Sequence, residues 1–275
     1  MNKFTALNFA LISLIFCMPA HALQIFGTEE GESEEDRISF TEIYQDGHLV
    51  RLESGQLSYR FHNGKCLIAD NEHSIYIENS CKKIAEEMAK QIKKQFATVQ
   101  VQNNESLSAA LKITEMLKKE DNNLELKKSG SEEFIGFNTT TYSTGPSKYW
   151  VSADLLSKIK KEVDFKGILI AQQQMSDAYS QIGSMFNIME KEQRIEAELM
   201  AKGYLMKQIS SNPMSAAMLN MLPPEARNAI MADMDEGSVV LEVTSVKYEK
   251  VNIEKYKPAG RKVSIPEYME TIFSQ

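Results

Sequence analysis

Apolar positions recur with several different periods along this chain, and each change of period marks an element. From Phe4 to Met18 the run is almost wholly apolar, broken by Thr5, Asn8 and Ser13, until Pro19 stops it; proline has no N–H to continue a helix. Leu23 to Arg37 then carries Glu29, Glu30, Glu32, Glu34, Glu35 and Asp36, with two glycines and almost nothing apolar after Phe26. Such a charge run reads as a flexible, solvated acidic leader.

Between Ile38 and Ile77 the period is short. Ile38 and Phe40, with Ile43 one step out of phase, lead to Asp46-Gly47, a hairpin signal, and Leu49–Leu52 returns. Gly55 and Asn63-Gly64 punctuate further runs around Leu57–Phe61 and Cys66–Ala69, and Ser74–Ile77 adds another. Short runs separated by turn residues predict an antiparallel meander. Ile84, Met88, Ile92 and Phe96 then recur every four residues, a helix stripe with Ser80 placed to cap it. Leu107, Ala110, Leu111, Thr114 and Leu117 predict a second helix, ended at Asn122-Asn123.

Strands resume at Leu124–Leu126, in Phe134–Phe137 running on to Thr139–Tyr142, and at Tyr149–Ser152, with Gly145-Pro146 turning the chain and Asp154 capping a helix through Ile159. Ile168–Met200 reads as the longest helix, with Met175, Ala178, Ile182, Met185, Phe186 and Met189 three or four apart. Gly203-Tyr204-Leu205 returns to extended structure, prolines 213, 223 and 224 interrupt a small helical block, and Ser238–Val246 is a last strand before a turn at Lys257–Gly260 and a short tail. Elements in blocks, without strict alternation or internal repeat, predict an α+β fold: a curved antiparallel β-sheet packed around helices.

The N-terminal run has the parts of a signal peptide: Lys3, an apolar stretch, then Ala20-His21-Ala22 as a small-x-small cleavage pattern. Residues 1–22 are therefore expected to be removed between Ala22 and Leu23, leaving residues 23–37 as the leader and 38–275 as a single domain. The apolar stretch is shorter than the ~20 residues that span a bilayer. Phe16 stands before Cys17 where a lipoprotein signal needs a small residue, so no lipid anchor is expected either. The chain is expected to be periplasmic or secreted, with no transmembrane anchor after cleavage. Its net charge of −7 argues against nucleic acid and against anionic membrane surfaces as partners.

Outside the signal segment there are two cysteines, Cys66 and Cys81. In an oxidising compartment this pair reads as a disulfide, closing a loop that contributes ~3 kcal/mol. His48, His62 and His73 lie beside turns or acids and read as exposed turn residues; their spacing asks for no metal. No nucleophile elbow, phosphate loop or zinc-protease motif occurs, so no catalytic residue and no cofactor is assigned. Ten of the fifteen methionines fall between Met175 and Met234. They read as helix core, as an adaptable ligand or partner surface, or, at Met218-x-x-Met221 and Met231-x-x-Met234, as Cu(I) ligands.

Three segments taken together resemble an exported bacterial family, domain of unknown function 4412. They are Phe134–Tyr142 closing with Tyr149-Trp150-Val151-Ser152-Ala153-Asp154-Leu155; Lys202–Lys207; and Glu242–Val246 followed by Tyr256–Val263. The resemblance implies a fold like the periplasmic lipoprotein carriers (LolA-like), an unclosed half-barrel of antiparallel strands around helices that plug a hydrophobic cavity. Ile182, Met185, Phe186 and Met189 are the candidate cavity wall. The expected function is non-enzymatic binding or carriage of a lipid, acyl chain or other hydrophobic ligand. The alternative is an envelope protein–protein interaction module without a small ligand.

Overall fold

The computed structural model describes residues 21–30, 37–102, 125–144, 147–180, 195, 197–210 and 238–273. The strands within them are β1 His21–Glu30, β2 Arg37–Gln45, β3 His48–Glu53, β4 Gln56–His62, β5 Lys65–Asp70, β6 Ile75–Ser80, β7 Lys127–Phe134, β8 Phe137–Thr144, β9 Ser147–Ser152, β10 Tyr204–Ser210, β11 Ser238–Lys250 and β12 Arg261–Lys262. They form one unclosed, curved sheet in the order β12-β6-β5-β4-β3-β2-β1-β11-β10-β9-β8-β7. Every pairing is antiparallel except that of β12 with β6. The helices are α1 Cys81–Gln102, α2 Ala153–Glu162, α3 Phe165–Ser180 and α4 Ile265–Phe273, with a further helical segment at 197–202.

The β2–β6 meander follows its turn chemistry. Asp46-Gly47, Ser54-Gly55 and Asn63-Gly64 all take positive φ, as two-residue hairpin turns with the right twist require. Alternation then sends Phe40, Tyr44, Leu49, Phe61, Ile75 and Ile77 to one face, where they meet Ile84, Met88 and Ile92 of α1, Leu155 and Ile159 of α2 and Tyr268 and Met269 of α4 in one core. Ile43, Val50, Leu52, Leu57 and Leu67 point to the opposite face and pack with Val251, Ile253 and Tyr256 of the segment after β11. That segment crosses behind β1–β6 to reach β12 at the far edge. At the crossing's end Gly260 has φ +78, and a Cβ there would lie 1.6 Å from the Ser74 carbonyl oxygen.

Several expectations are corrected. The stretch from Leu23 is no flexible leader as far as Glu30: β1 lies between β2 and β11, with Ala22, Leu23 and Ile25 at most 2% exposed. Its alternation is real but brief, and the acids that follow obscure it. The bond between Ala22 and Leu23 thus falls within this strand. Ser152, not Asp154, caps α2, its side chain accepting from the Leu155 N–H. Phe134 and Phe137 do not share a strand; Ile135-Gly136, both at positive φ, make a hairpin turn between β7 and β8. Of the expected strand at 124–126, residue 124 lies outside the described residues, and β7 begins at Lys127. The C-terminal tail ends in α4, which buries Ile265, Tyr268 and Met269. Ser80 does cap α1, accepting from the Lys83 N–H at 3.3 Å, and the Cys66–Cys81 disulfide ties β5 to the first residue of that helix. Of the expected helix Ile168–Met200, residues 181–194 lie outside the described residues, as does the expected helix at 107–117.

Candidate functional site

Two features on the helix-bearing face distinguish it from plain core. The first is a polar cluster in an apolar setting. Alternation from Phe40 puts Glu42 and Tyr44 on that face, and the cross-strand partner of Glu42 is Arg51. Arg51 donates to Glu29 at 2.6 Å, to Glu42 at 3.0 Å and to Glu53 at 3.0 Å, while its guanidinium lies over the Phe40 ring at 4.8 Å. Tyr44 and Tyr204 both donate to Glu42 Oε2. Burial alone would lower the Arg51 pKa, and the Glu42 and Glu29 carboxylates more than reverse that, so the guanidinium stays charged. Burial first, and then the Glu42 carboxylate, push both tyrosine hydroxyls well above their ordinary range. Three carboxylates around one cation leave the cluster acidic. Its donors and acceptors are largely matched, which suits fixing the sheet's shape.

The second feature lies further out on the same face. Phe134 pairs with Phe137 and Thr141 with Trp150 across neighbouring strands, so Phe134, Phe137 and Trp150 share one side of β7–β9. All three rings are half-buried. Lys207 stands over the Phe134 and Trp150 rings at 5.7 and 5.8 Å, and Lys158 of α2 over Phe137 at 4.8 Å. Lys207 also pairs with Glu242 at 2.7 Å, and the Trp150 indole donates to Glu132. The result is an aromatic surface edged by ammonium groups in a chain whose net charge is negative, suited to an apolar body with a polar or anionic end.

The candidate wall residues Ile182, Met185, Phe186 and Met189 all lie outside the described residues, as do the Met218/Met221 and Met231/Met234 pairs. Met206 is fully buried in the main core. The histidines are not the exposed turn residues expected. His48 and His62 are cross-strand partners whose rings stack at 3.6 Å, and His73 pairs with Asp70 at 2.7 Å. Among the described residues no group of three or more His, Cys, Asp or Glu side chains is placed to hold a metal ion. Alternation could have found the Arg51 cluster: Glu42 is in phase with Phe40 and Tyr44, and an in-phase acid on a buried face needs a partner. The aromatic surface gave no such signal, because it assembles from four strands and a helix.

No protein-family model matches this chain, and no curated protein matches it. A solved structure of PNGF-II is similar over 92% of this chain, at 10% identity and a TM-score of 0.37. The chain spans about a third of that protein's length, 33%. A likeness this slight carries no argument about activity.

Proposed function

We propose that this protein is an exported, non-enzymatic carrier that shelters a lipid, acyl chain or similar hydrophobic ligand in a LolA-like half-barrel. The observation that carries the reading is the half-buried aromatic surface of Phe134, Phe137 and Trp150 on the helix-bearing side of an unclosed sheet. An apolar ligand laid there would remove ring surface from water, worth about 25 cal/mol per Å², and Lys158 and Lys207 would receive its polar end. The resemblance to domain of unknown function 4412 points the same way.

The test is native mass spectrometry with organic extraction, on protein purified from its own cell envelope. The expected result is a stoichiometric co-purifying hydrophobe that is lost in Trp150→Ala/Phe137→Ala. A clean apo mass, with none gained on incubation with envelope lipids, would overturn the carrier reading and favour the envelope interaction module.

A further inference from the structure

The outermost strand, β7, reads Lys127-Lys128-Ser129-Gly130-Ser131-Glu132-Glu133 before Phe134. Reversed, it is the same sequence with its charges exchanged. β7 pairs with β8 on one side and ends the sheet; among the described residues nothing pairs with its other side. Its four charged residues and both serines are exposed. An open edge of this length is a template for another strand.

The register fixes which charges share a face. A shift between Lys128 and Gly130 makes Ser129 an extra residue in the ladder. Lys127 lies opposite Ser143 and Glu132 opposite Thr139, so both sit on the helix-bearing face with Phe137. Lys128 lies opposite Tyr142 and Glu133 opposite Asn138, on the other face. Each face therefore carries one lysine and one glutamate; in ladder positions Lys127 and Glu132 lie two either side of Gly130, and Lys128 and Glu133 lie one and three.

We propose that β7 is the docking edge for a second copy of this chain, the two β7 strands pairing antiparallel about a two-fold axis at Gly130 to make one continuous sheet. Lys127 of one copy then stands directly opposite Glu132 of the other on one face, and Lys128 is the diagonal neighbour of the other copy's Glu133 on the opposite face. The two-fold repeats both pairs, and no like charges meet. A parallel arrangement would set lysine against lysine, so the pattern also selects orientation. Nothing lies within 4 Å of where a Gly130 Cβ would be, so no described side chain crowds the sheet face at the axis. Edge charges that guard against pairing work by repulsion when two copies meet; these attract.

The experiment is sedimentation equilibrium on the intact protein and on K127E/K128E, E132K/E133K and the fourfold exchange K127E/K128E/E132K/E133K. Wild type is expected to dimerise, each double variant to self-associate at least about tenfold more weakly, and their equimolar mixture to recover a heterodimer. The fourfold exchange, which restores complementarity, is expected to dimerise again. Circular dichroism confirms that each variant is folded. A monomeric wild type at about 100 μM, dimers unaffected in both double variants, or no recovery in the mixture and the fourfold exchange would overturn the proposal.

Discussion

Tyr44 and Tyr204 donate to the same oxygen, Glu42 Oε2, at 2.5 and 2.7 Å, although β1 and β11 separate their strands in the sheet. Across a flat sheet β2 and β10 would stand about 14 Å apart. Two phenols meeting on one carboxylate over that span is a direct consequence of the curl of the sheet, and the shared acceptor helps hold it.

Removing that acceptor should therefore be costly. Glu42→Ala strips Arg51 of one carboxylate and both tyrosines of their partner, and is expected to destabilise by about 3 kcal/mol. Tyr204→Phe loses one hydrogen bond and should cost about 1 kcal/mol. A double-mutant cycle of Tyr44→Phe and Tyr204→Phe by chemical denaturation should give a non-zero coupling; strict additivity would mean the two phenols act independently.

The buried phenols set the alkaline limit. A tyrosine whose folded pKa is raised stabilises the fold below its unfolded value near 10, and that contribution is lost as pH rises through the folded value. For Tyr59, pushed up by burial to about 12, the loss falls between pH 10 and about 12; for Tyr44 and Tyr204, raised well above the ordinary range by burial and the Glu42 carboxylate, it begins at the same point. Tyrosinate absorbance at alkaline pH should therefore rise together with loss of structure. Smooth titration of all ten tyrosines in a folded protein would contradict this.

On the acid side His48, stacked on His62, acts first. Burial, then the neighbouring His62 ring and Arg60 guanidinium, hold His48 below the usual imidazole range. Its contribution is full above the unfolded value near 6.5 and fades as pH falls through the lowered folded value. Asp70 acts at lower pH: burial opposes the shift, but hydrogen bonds from the His73 backbone and ring keep it below the usual carboxylate range. Denaturation midpoints measured from pH 7 to 5 should decline in wild type and decline less in His62→Phe, which keeps an aromatic ring against His48 without a second charge.

The disulfide and the crossing segment each anchor a border of the sheet. Cys66→Ala/Cys81→Ala should lower stability by ~3 kcal/mol in the chain-entropy account, read as a drop in Tm matched by prolonged reduction of wild type. Gly260→Ala meets both a left-handed φ and the Ser74 carbonyl, and should cost roughly 2 kcal/mol. Limited proteolysis is the readout, because the variant should open the chain between Val251 and Lys262. Unchanged resistance there would show that β12 docks without this close approach.

The β2–β6 meander was legible because three turn dipeptides and clean alternation agree with its tertiary setting, and the cysteine spacing foretold the disulfide. β1 was hidden because its few apolar residues are followed at once by acids. The α2 cap went to Ser152 over Asp154 because a cap is fixed by one residue's backbone angles, which composition does not encode. The Ile135-Gly136 turn was missed because a β-branched residue at positive φ runs against propensity. The Arg51 cluster and the aromatic surface join residues from separate strands, and no local window holds all their members.

His21 of β1 sits opposite Lys250 of β11, so the middle of the sheet closes only when two ends of a long stretch of chain find each other. Synthesis delivers β1 early and its partner more than two hundred residues later. Until then one whole side of the central strand stays open, and the folding step that seals it belongs to the slow, non-local class. Assembly of the sheet must therefore wait until β11 has been synthesised, and in that interval the unsealed centre, rather than either finished border, is where a chaperone has most to protect.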